Sequence, residues 1–477
     1  MSAILPAAEL RADAAIDVAV IGAGACGLVA AMRAAEAGAD VLVLERDAKA
    51  SGSTSMSSGF IPAPATRFQR AIGIDDDTPD RFAADIQSKT KNRADAGLVE
   101  TVSSAIGPAL EWLGDSHGLE WIVLDDFLYP GHSRHRMHAV PEKTGAALLQ
   151  RLATAADAAG VMVATGAHVT GLFVEGDRIC GLRIERADGQ EEHLACNALV
   201  LACNGFGGNA EMVARHIPEM EGAPYYGHTG NQGDAVLWGQ TLGADIRDLS
   251  SYQGHGSLAY PHQILISWAL MMEGGVQVNA EGRRFSNEHG GYSEQAVHVR
   301  AQPGAMAWNI YDQRIHNFAQ SFPDYRDAME AGAIRQAADI TGLARVIGVE
   351  AGALSDTFEA VAAFQDGTAD DTHGRDFSTK PALEAPYFAV KVTGALFHTQ
   401  GGLMVDSSAR VLSVSGMPFA NLFAGGGAAC GVSGPEVSGY LSGNGLLTAV
   451  ALGYIAGRGA AQVALVQQSP LSRAQIL

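Results

Sequence analysis

Five cysteines, Cys26, Cys180, Cys196, Cys203 and Cys430, are scattered through 477 residues without a C-x-x-C pair. That spacing excludes an iron–sulfur ligand set and a haem attachment motif. An odd number of cysteines with no framework points to reduced thiols used as apolar filler, and so to the cytoplasm. Excess positive charge is missing too: 32 Lys and Arg stand against 52 Asp and Glu, a net charge of −20. This argues against nucleic acid and against an anionic membrane surface as partners. No apolar run reaches the roughly 20 residues that span a bilayer, so membrane insertion is not expected. Met1 to Ala15 lacks a basic segment leading into an apolar one, so no signal peptide is expected.

What is present is more informative. Asp17 to Leu28 reads D-V-A-V-I-G-A-G-A-C-G-L, and V-L-V-L-E closes at Glu45. The pattern predicts a buried strand, a glycine turn, a helix start, a second buried strand and an acid. Gly22 permits the tight turn, Gly24 lets backbone approach a pyrophosphate, and Gly27 lets helix and strand pack closely. The helix N-terminus offers free N–H groups and a positive dipole end to phosphates. Glu45 can accept from ribose hydroxyls. A plain βαβ unit accounts for the turn but not for the acid, so the segment is read as dinucleotide-binding.

The chain is too long for one core, so two domains are expected. Residues 51–60 form a small-residue loop able to lie against a flat cofactor. Residues 97–159 read mostly helical, with Lys143-Thr144-Gly145 opening an amphipathic segment. Val161 to Leu182 alternates around Glu175-Gly176-Asp177, a hairpin signal. Ala198 to Ala202 is another buried strand. From about 250 to 390 the chain is more polar and rich in histidine, and residues 391–405 return to strand-like alternation. Leu446 to Ala456 reads as an apolar helix. The expected fold is α/β: a Rossmann-like, glutathione-reductase-like nucleotide-binding domain from residues 1–250 and 391–477, interrupted by an α+β capping domain over 251–390.

Several motifs carry a resemblance across roughly residues 15–458. They are the glycine turn with Glu45, the loop around Ser53-Thr54 and Ser58-Gly59, and A-L-V-L-A-C-N-G-F-G-G-N at 198–209. T-G-N-Q-G-D-A at 229–235, G-G-V-Q-V-N-A-E-G-R-R-F-S-N-E at 274–288, F-H-T-Q-G-G-L at 397–403 and N-L-F-A-G-G-G at 421–427 complete the set. The chain resembles the fumarate reductase/succinate dehydrogenase flavoprotein superfamily, and in its active-site pattern the ketosteroid dehydrogenase branch. The resemblance implies FAD. It places the cofactor against Ala23, Ala25, Cys26 and Arg46 as well as the turn glycines and Glu45, against Ser53, Thr54, Ser58 and Gly59, and against Val169. From later motifs it adds Ala202, Cys203, Asn204, Gly205, Asn209, Asp234, Gly426, Gly427, Gly443, Asn444, Leu446 and Leu447. Gly52 stands where some members carry the histidine that bonds to FAD, so binding is expected to be non-covalent. Gly427 departs from the glutamate common near the flavin ribitol.

Where fumarate reductases place an acid arginine after the N-E of G-x-R-F-x-N-E, this chain has Tyr292. Where they place an arginine that grips a substrate carboxylate, it has Tyr440. Ketosteroid dehydrogenases have tyrosines at similar positions. The resemblance therefore implies α,β-desaturation of a ketone, with one tyrosine removing the α proton and Tyr440 and the N–H of Gly445 holding the ketone oxygen. A phenol is a poor base unless its phenolate is stabilised, so a donor or cation near Tyr292 is expected. His398 and His255 resemble histidines that bind substrate carboxylate in the fumarate reductases, which keeps a keto acid such as an oxocyclohexanecarboxylate, and a fumarate reductase-like or tricarballylate dehydrogenase-like activity, in view. Tyr129 is an auxiliary phenol. His132, Arg134, His135, Arg136 and His138 have irregular spacing and no carboxylate nearby in sequence. A polar loop with an arginine free to meet a substrate anion is expected there rather than a metal. Electrons must leave to oxygen, a quinone or a separate carrier.

Overall fold

A strand of β-branched and small apolar residues, Ala14–Ile21, is buried from Asp17 onward because it lies inside a parallel stack. The computed structural model describes residues 3–468. Leu194 to Leu201 pairs in parallel with Ala14 to Ile21, and Val18 to Ile21 pairs in parallel with Val41 to Leu44. Met162–Ala164 extends this side, and Pro418–Ala424 pairs in parallel with Leu199 to Leu201. A β-meander of Ala167–Glu175, Arg178–Arg186 and Glu191–Leu201, with Ala3–Pro6 parallel to Ala167–Glu175 and Arg410–Leu412 antiparallel to Pro418–Ala424, completes a nine-stranded mixed sheet. Gly176, at φ +62, makes the turn between the first two of these strands, as the hairpin signal predicts.

Two compact units result. The first comprises residues 1–216, 227–252 and 398–477, and the second residues 217–226 and 253–397. The first is the α/β nucleotide-binding type. Its core holds Val18, Val20, Leu28, Val29, Val43, Leu199 and Leu422 from both ends of the chain. The second is α+β. Its six-stranded sheet runs Ile264–Leu265, Tyr252–Ala259, Tyr387–Thr399, Met306–Asp312 and Val276–Val278, with Ile334–Ala337 also on Tyr387–Thr399. Trp268, Tyr311, Tyr325, Phe388 and Val390 fill one of its cores.

Three local readings change. The loop at 51–60 contains a short helix, Gly52–Met56. The stretch at 97–159 holds two helices, Ala96–His117 and Gly145–Ala158, separated by strands Ile122–Leu124 and Met137–Ala139. Finally, Asn444–Gln468 is one long helix whose segment Asn444–Val466 is, by length and composition alone, apolar enough to cross a membrane. Arg458 and several glycines hide that run in the sequence. Here it packs along the helix Ala25–Glu36, and the glycines permit the contact. A Cβ at Gly453 would lie 2.5 Å from the Cys26 carbonyl oxygen, and one at Gly457 would lie 2.1 Å from that of Ala30.

Candidate active site

The glycine turn has the expected construction. Gly22 adopts φ +104, and a Cβ there would lie 2.5 Å from the Ala202 oxygen. Gly24 is the N-cap of Ala25–Glu36 and offers no side-chain cap. The first N–H groups of a helix have no intrahelical acceptor. Thr54 Oγ1 accepts from the Ala25 N–H at 3.1 Å. Glu45, at the end of its strand, accepts from the N–H groups of Ala23 and Asp47, each at 3.0 Å. The carboxylate thus ties the turn to the strand tip. Arg46 lies in the notch made by the missing side chain of Gly230, and His228 Nε2 is 2.8 Å from Asp47. Val169 is buried in the strand Ala167–Glu175.

Ser53 is a node. Its Oγ accepts from Asn204 Nδ2 at 2.9 Å and Asn231 Nδ2 at 3.0 Å. Asn231 was not singled out from the sequence; it lies in the T-G-N-Q motif, whose polar residue spaced between glycines is the only signal. Gly59 adopts φ +74, and its missing side chain lets residues 57–59 press against Thr144. Next to them, the N–H of Gly145 donates to the Ser57 carbonyl at 2.8 Å. Asn204 also explains the departure at Gly427. A Cβ there would lie 2.2 Å from Asn204 Oδ1, so the amide occupies the space a larger residue would need. Gly205 is equally constrained, 2.0 Å from Thr399 Oγ1 by the same measure. Gly426 adopts φ +57 beside Cys26. Asn209 caps the helix Ala210–His216 through the Met212 N–H and donates to the Gln232 carbonyl, and Asp234 opens the helix Asp234–Leu242. Burial pushes the Cys26 and Cys203 thiols up to about 12, so both are protonated.

The second glycine turn, Gly443-Asn444-Gly445, opens the helix Asn444–Gln468. A Cβ on Gly445 would lie 2.9 Å from Cε1 of His398 and 3.0 Å from its Nε2, so the imidazole lies against bare backbone. Tyr440 meets His398 edge to face, with ring centroids 5.6 Å apart. Burial lowers the His398 pKa to about 4. Leu447 is core and Leu446 packs against it. Tyr129 packs edge to face on Phe60 and Phe127.

The histidine–arginine cluster differs from expectation. No arginine in it is free for a substrate anion. Arg136 is fully buried and makes two hydrogen bonds to Asp77, at 3.0 and 2.8 Å, and one to Asp85 at 2.5 Å. Arg134 pairs with Asp76. These acids lie more than forty residues upstream, which is why local spacing missed them. Arg136 also donates to His132 Nδ1 at 3.2 Å, leaving Nε2–H to donate to the Ser442 carbonyl at 3.0 Å. His138 bridges Thr66 Oγ1 and the Arg136 carbonyl. The cluster is a strut beneath the second glycine turn. Arg136→Met should therefore strand two carboxylates and cost about 3–5 kcal/mol, measurable as a lowered urea midpoint.

In the second unit, Gly291 at φ +141 precedes the helix Tyr292–Arg300. Ser293 Oγ accepts from the Gly254 N–H at 2.8 Å, which fixes the helix start on the strand Tyr252–Ala259. His255, on that strand, stacks on Tyr292 with centroids 5.0 Å apart and planes 26° apart, and also meets Phe397 and Trp268. The N–H of Ser257 donates to His255 Nδ1 at 3.2 Å. Burial lowers the His255 pKa to about 3, so the ring beside Tyr292 is neutral; of the donor or cation expected there, it can be a donor and not a cation. The G-R-R-F-S-N-E motif is held by Arg284, which pairs with Glu288 and Asp371, while Arg375 adds a second cation to Glu288.

Four histidines, His132, His138, His255 and His398, share this depressed range, at about 4, 4, 3 and 4. Each folded-state pKa lies below the unfolded value near 6.5. The unfolded chain then binds protons that the fold refuses, so stability is full above about pH 6.5 and falls as pH drops towards 4. Denaturation midpoints measured across that window should decline steadily. A flat profile would contradict neutral burial of these rings.

These features fit a dinucleotide cofactor in the first unit: a helix N-terminus whose N-cap, Gly24, has no side chain, beside a glycine turn, an acid at the next strand tip, and a loop of small side chains. The side-chain oxygen of Asn444 is buried without a hydrogen-bond partner among the described residues and suits a donor from a bound group. The family model described as FAD binding domain matches residues 17–446. Probable fumarate reductase Ifc3 of Shewanella frigidimarina (strain NCIMB 400) is 29% identical over 94% of this chain and 75% of its own length. 4-Oxocyclohexanecarboxylate 2-dehydrogenase of Sinomonas cyclohexanicum is 26% identical over 93% of this chain and 92% of its own. A crystal structure of 3-ketosteroid-Δ4-(5α)-dehydrogenase from Rhodococcus jostii RHA1, 24% identical, shares the fold with a TM-score of 0.76 over 97% of this chain and 100% of that one.

Proposed function

The chain belongs to the FAD binding domain family and is an FAD-dependent oxidoreductase, and from that premise we propose that it desaturates a cyclic ketone between its α and β carbons. One observation carries this reading: the family's substrate-gripping positions hold no permanent cation. No arginine stands there: the two positions hold Tyr292 and Tyr440, and the imidazoles of His255 and His398 are buried and neutral. Donors without charge suit a ketone oxygen, whereas a dicarboxylate calls for cations.

In this reading Gly22, Gly24 and Gly27, with Glu45, Ser53 and Thr54, hold FAD without a covalent bond. FAD held there would supply a two-electron oxidant able to accept the β hydrogen as hydride. Tyr440, with the N–H of Gly445, holds the ketone oxygen and stabilises charge developing on it. Tyr292 removes the α proton. The C–H bonds at both carbons break as the new C=C bond forms; the final electron acceptor would be oxygen, a quinone or a carrier. A cytoplasmic location accords with the unpaired cysteines.

The second reading is a carboxylate-handling enzyme, favoured by the name of the 29% identical relative. A ring bearing both a ketone and a carboxylate, as in the name of the 26% identical relative, joins the two. Anaerobic mixing of the holoenzyme with cyclic ketones, keto acids, succinate and tricarballylate tests them. Flavin bleaching by ketones supports desaturation. Bleaching by carboxylates that lack a ketone would overturn it.

A further inference from the structure

His398 is the start of a buried chain of hydrogen bonds. Its Nδ1 is 3.0 Å from Gln400 Nε2. Gln400 Oε1 accepts from Ser433 Oγ at 2.8 Å, and Ser433 Oγ accepts from Asn444 Nδ2 at 3.0 Å. Gln400, Ser433 and Asn444 are 4%, 1% and 0% exposed. The chain ends at Asn444 Oδ1, which has no partner among the described residues.

We propose that Gln400, Ser433 and Asn444 form a directional relay that fixes the tautomer of His398 and ties it to occupancy of the cofactor turn. A serine hydroxyl has one proton, so the chain runs in one of two senses. In the first, Asn444 donates to Ser433, Ser433 to Gln400 and Gln400 to Nδ1, which leaves the imidazole proton on Nε2. In the second, every bond reverses and Nδ1 carries the proton. The second sense turns the Asn444 amide round and buries its N–H groups where the oxygen now lies. A bound group that donates a hydrogen bond to Asn444 Oδ1 satisfies that oxygen and selects the first sense. His398 then presents Nε2–H beside Gly445 as a neutral donor. A competing contact, Nδ1 to the Thr399 carbonyl at 3.4 Å, requires the opposite tautomer and is the longer of the two. The depressed pKa of His398 accords with a ring that holds one proton. Gln400, Ser433 and Asn444 are thus positioning residues, acting through His398.

The inference rests on FAD binding and not on the choice of substrate, so its test uses FAD-loaded enzyme with no substrate. Protein labelled with ¹⁵N-histidine would be studied by long-range proton–nitrogen NMR, with the His398 signals identified by their loss in His398→Asn. The wild type should show protonated Nε2 and unprotonated Nδ1. Ser433→Ala and Gln400→Met, either of which breaks the chain, should move the proton partly or wholly to Nδ1, and Ser433→Thr should restore the wild-type pattern. A wild-type proton on Nδ1 would overturn the proposal. So would an unchanged Nε2–H pattern in whichever of the two breaking variants folds and retains FAD.

Discussion

Gly27→Ala is expected to purify with little or no FAD, and Gly24→Ala to fold normally while binding FAD more weakly. The two positions look alike in the sequence and differ in space. A Cβ at Gly27 would lie 1.8 Å from the Gly22 carbonyl oxygen and 3.3 Å from Val20. The first clash is with backbone, so no side-chain rotation relieves it. The helix Ala25–Glu36 must move off the strand Ala14–Ile21, and the turn that Gly22 makes is lost with it. Forced overpacking costs about 1–3 kcal/mol in stability. Displacing the phosphate-facing N–H groups should lower FAD affinity by a further two decades or more, about 3 kcal/mol. At Gly24 a Cβ meets only Thr54 Oγ1, at 3.4 Å, an ordinary contact. There the added methyl would stand against the phosphates in the proposed cofactor site, so affinity should fall while apoprotein stability should not. FAD titration and thermal unfolding of both apoproteins separate these outcomes. Equal FAD content in Gly27→Ala and wild type would end the assignment of this turn.

How much of this was legible in the sequence follows the range of the interactions. The βαβ unit was readable because strand, turn, helix and acid are neighbours in sequence and each glycine has a local reason. The resemblance supplied the cofactor and the two tyrosine positions, which no local pattern contains. What the sequence concealed depends on distant partners. Asp77 and Asp85 quench Arg136, which converts an apparent anion receptor into a buried strut. Ser433 and Asn444 complete a polar chain that begins at His398, and no spacing rule links them. The long helix Asn444–Gln468 concealed its length because glycines needed for contact with Ala25–Glu36 dilute its hydrophobic signal. Residues 217–226 join the second unit without any shift in composition that marks them.

Tyr292→Phe should retain FAD and fold while slowing ketone-driven flavin reduction by about 10²–10⁴-fold, the range for removing a positioned acid–base group. The substitution deletes one oxygen. It keeps the ring that stacks on His255 and leaves the helix start pinned by Ser293 to Gly254. FAD content and the unfolding midpoint check the fold, and the rate then reports on the hydroxyl. The active form of a phenol base is the phenolate, so the wild-type rate should rise with pH up to the phenol's pKa, and the phenylalanine variant should lose that rise. The α proton gives a second readout that does not depend on oxidation. Wild-type enzyme should exchange it with deuterated solvent faster than the ketone is desaturated or at a comparable rate, and Tyr292→Phe should abolish the exchange. The comparison with Tyr440→Phe then separates the two phenols. Loss of a donor to the ketone oxygen weakens binding and slows both exchange and reduction, whereas loss of the base leaves ketone affinity near the wild-type value. If Tyr292→Phe reduces its flavin within tenfold of the wild-type rate, the α proton goes elsewhere, and the desaturase reading loses its base.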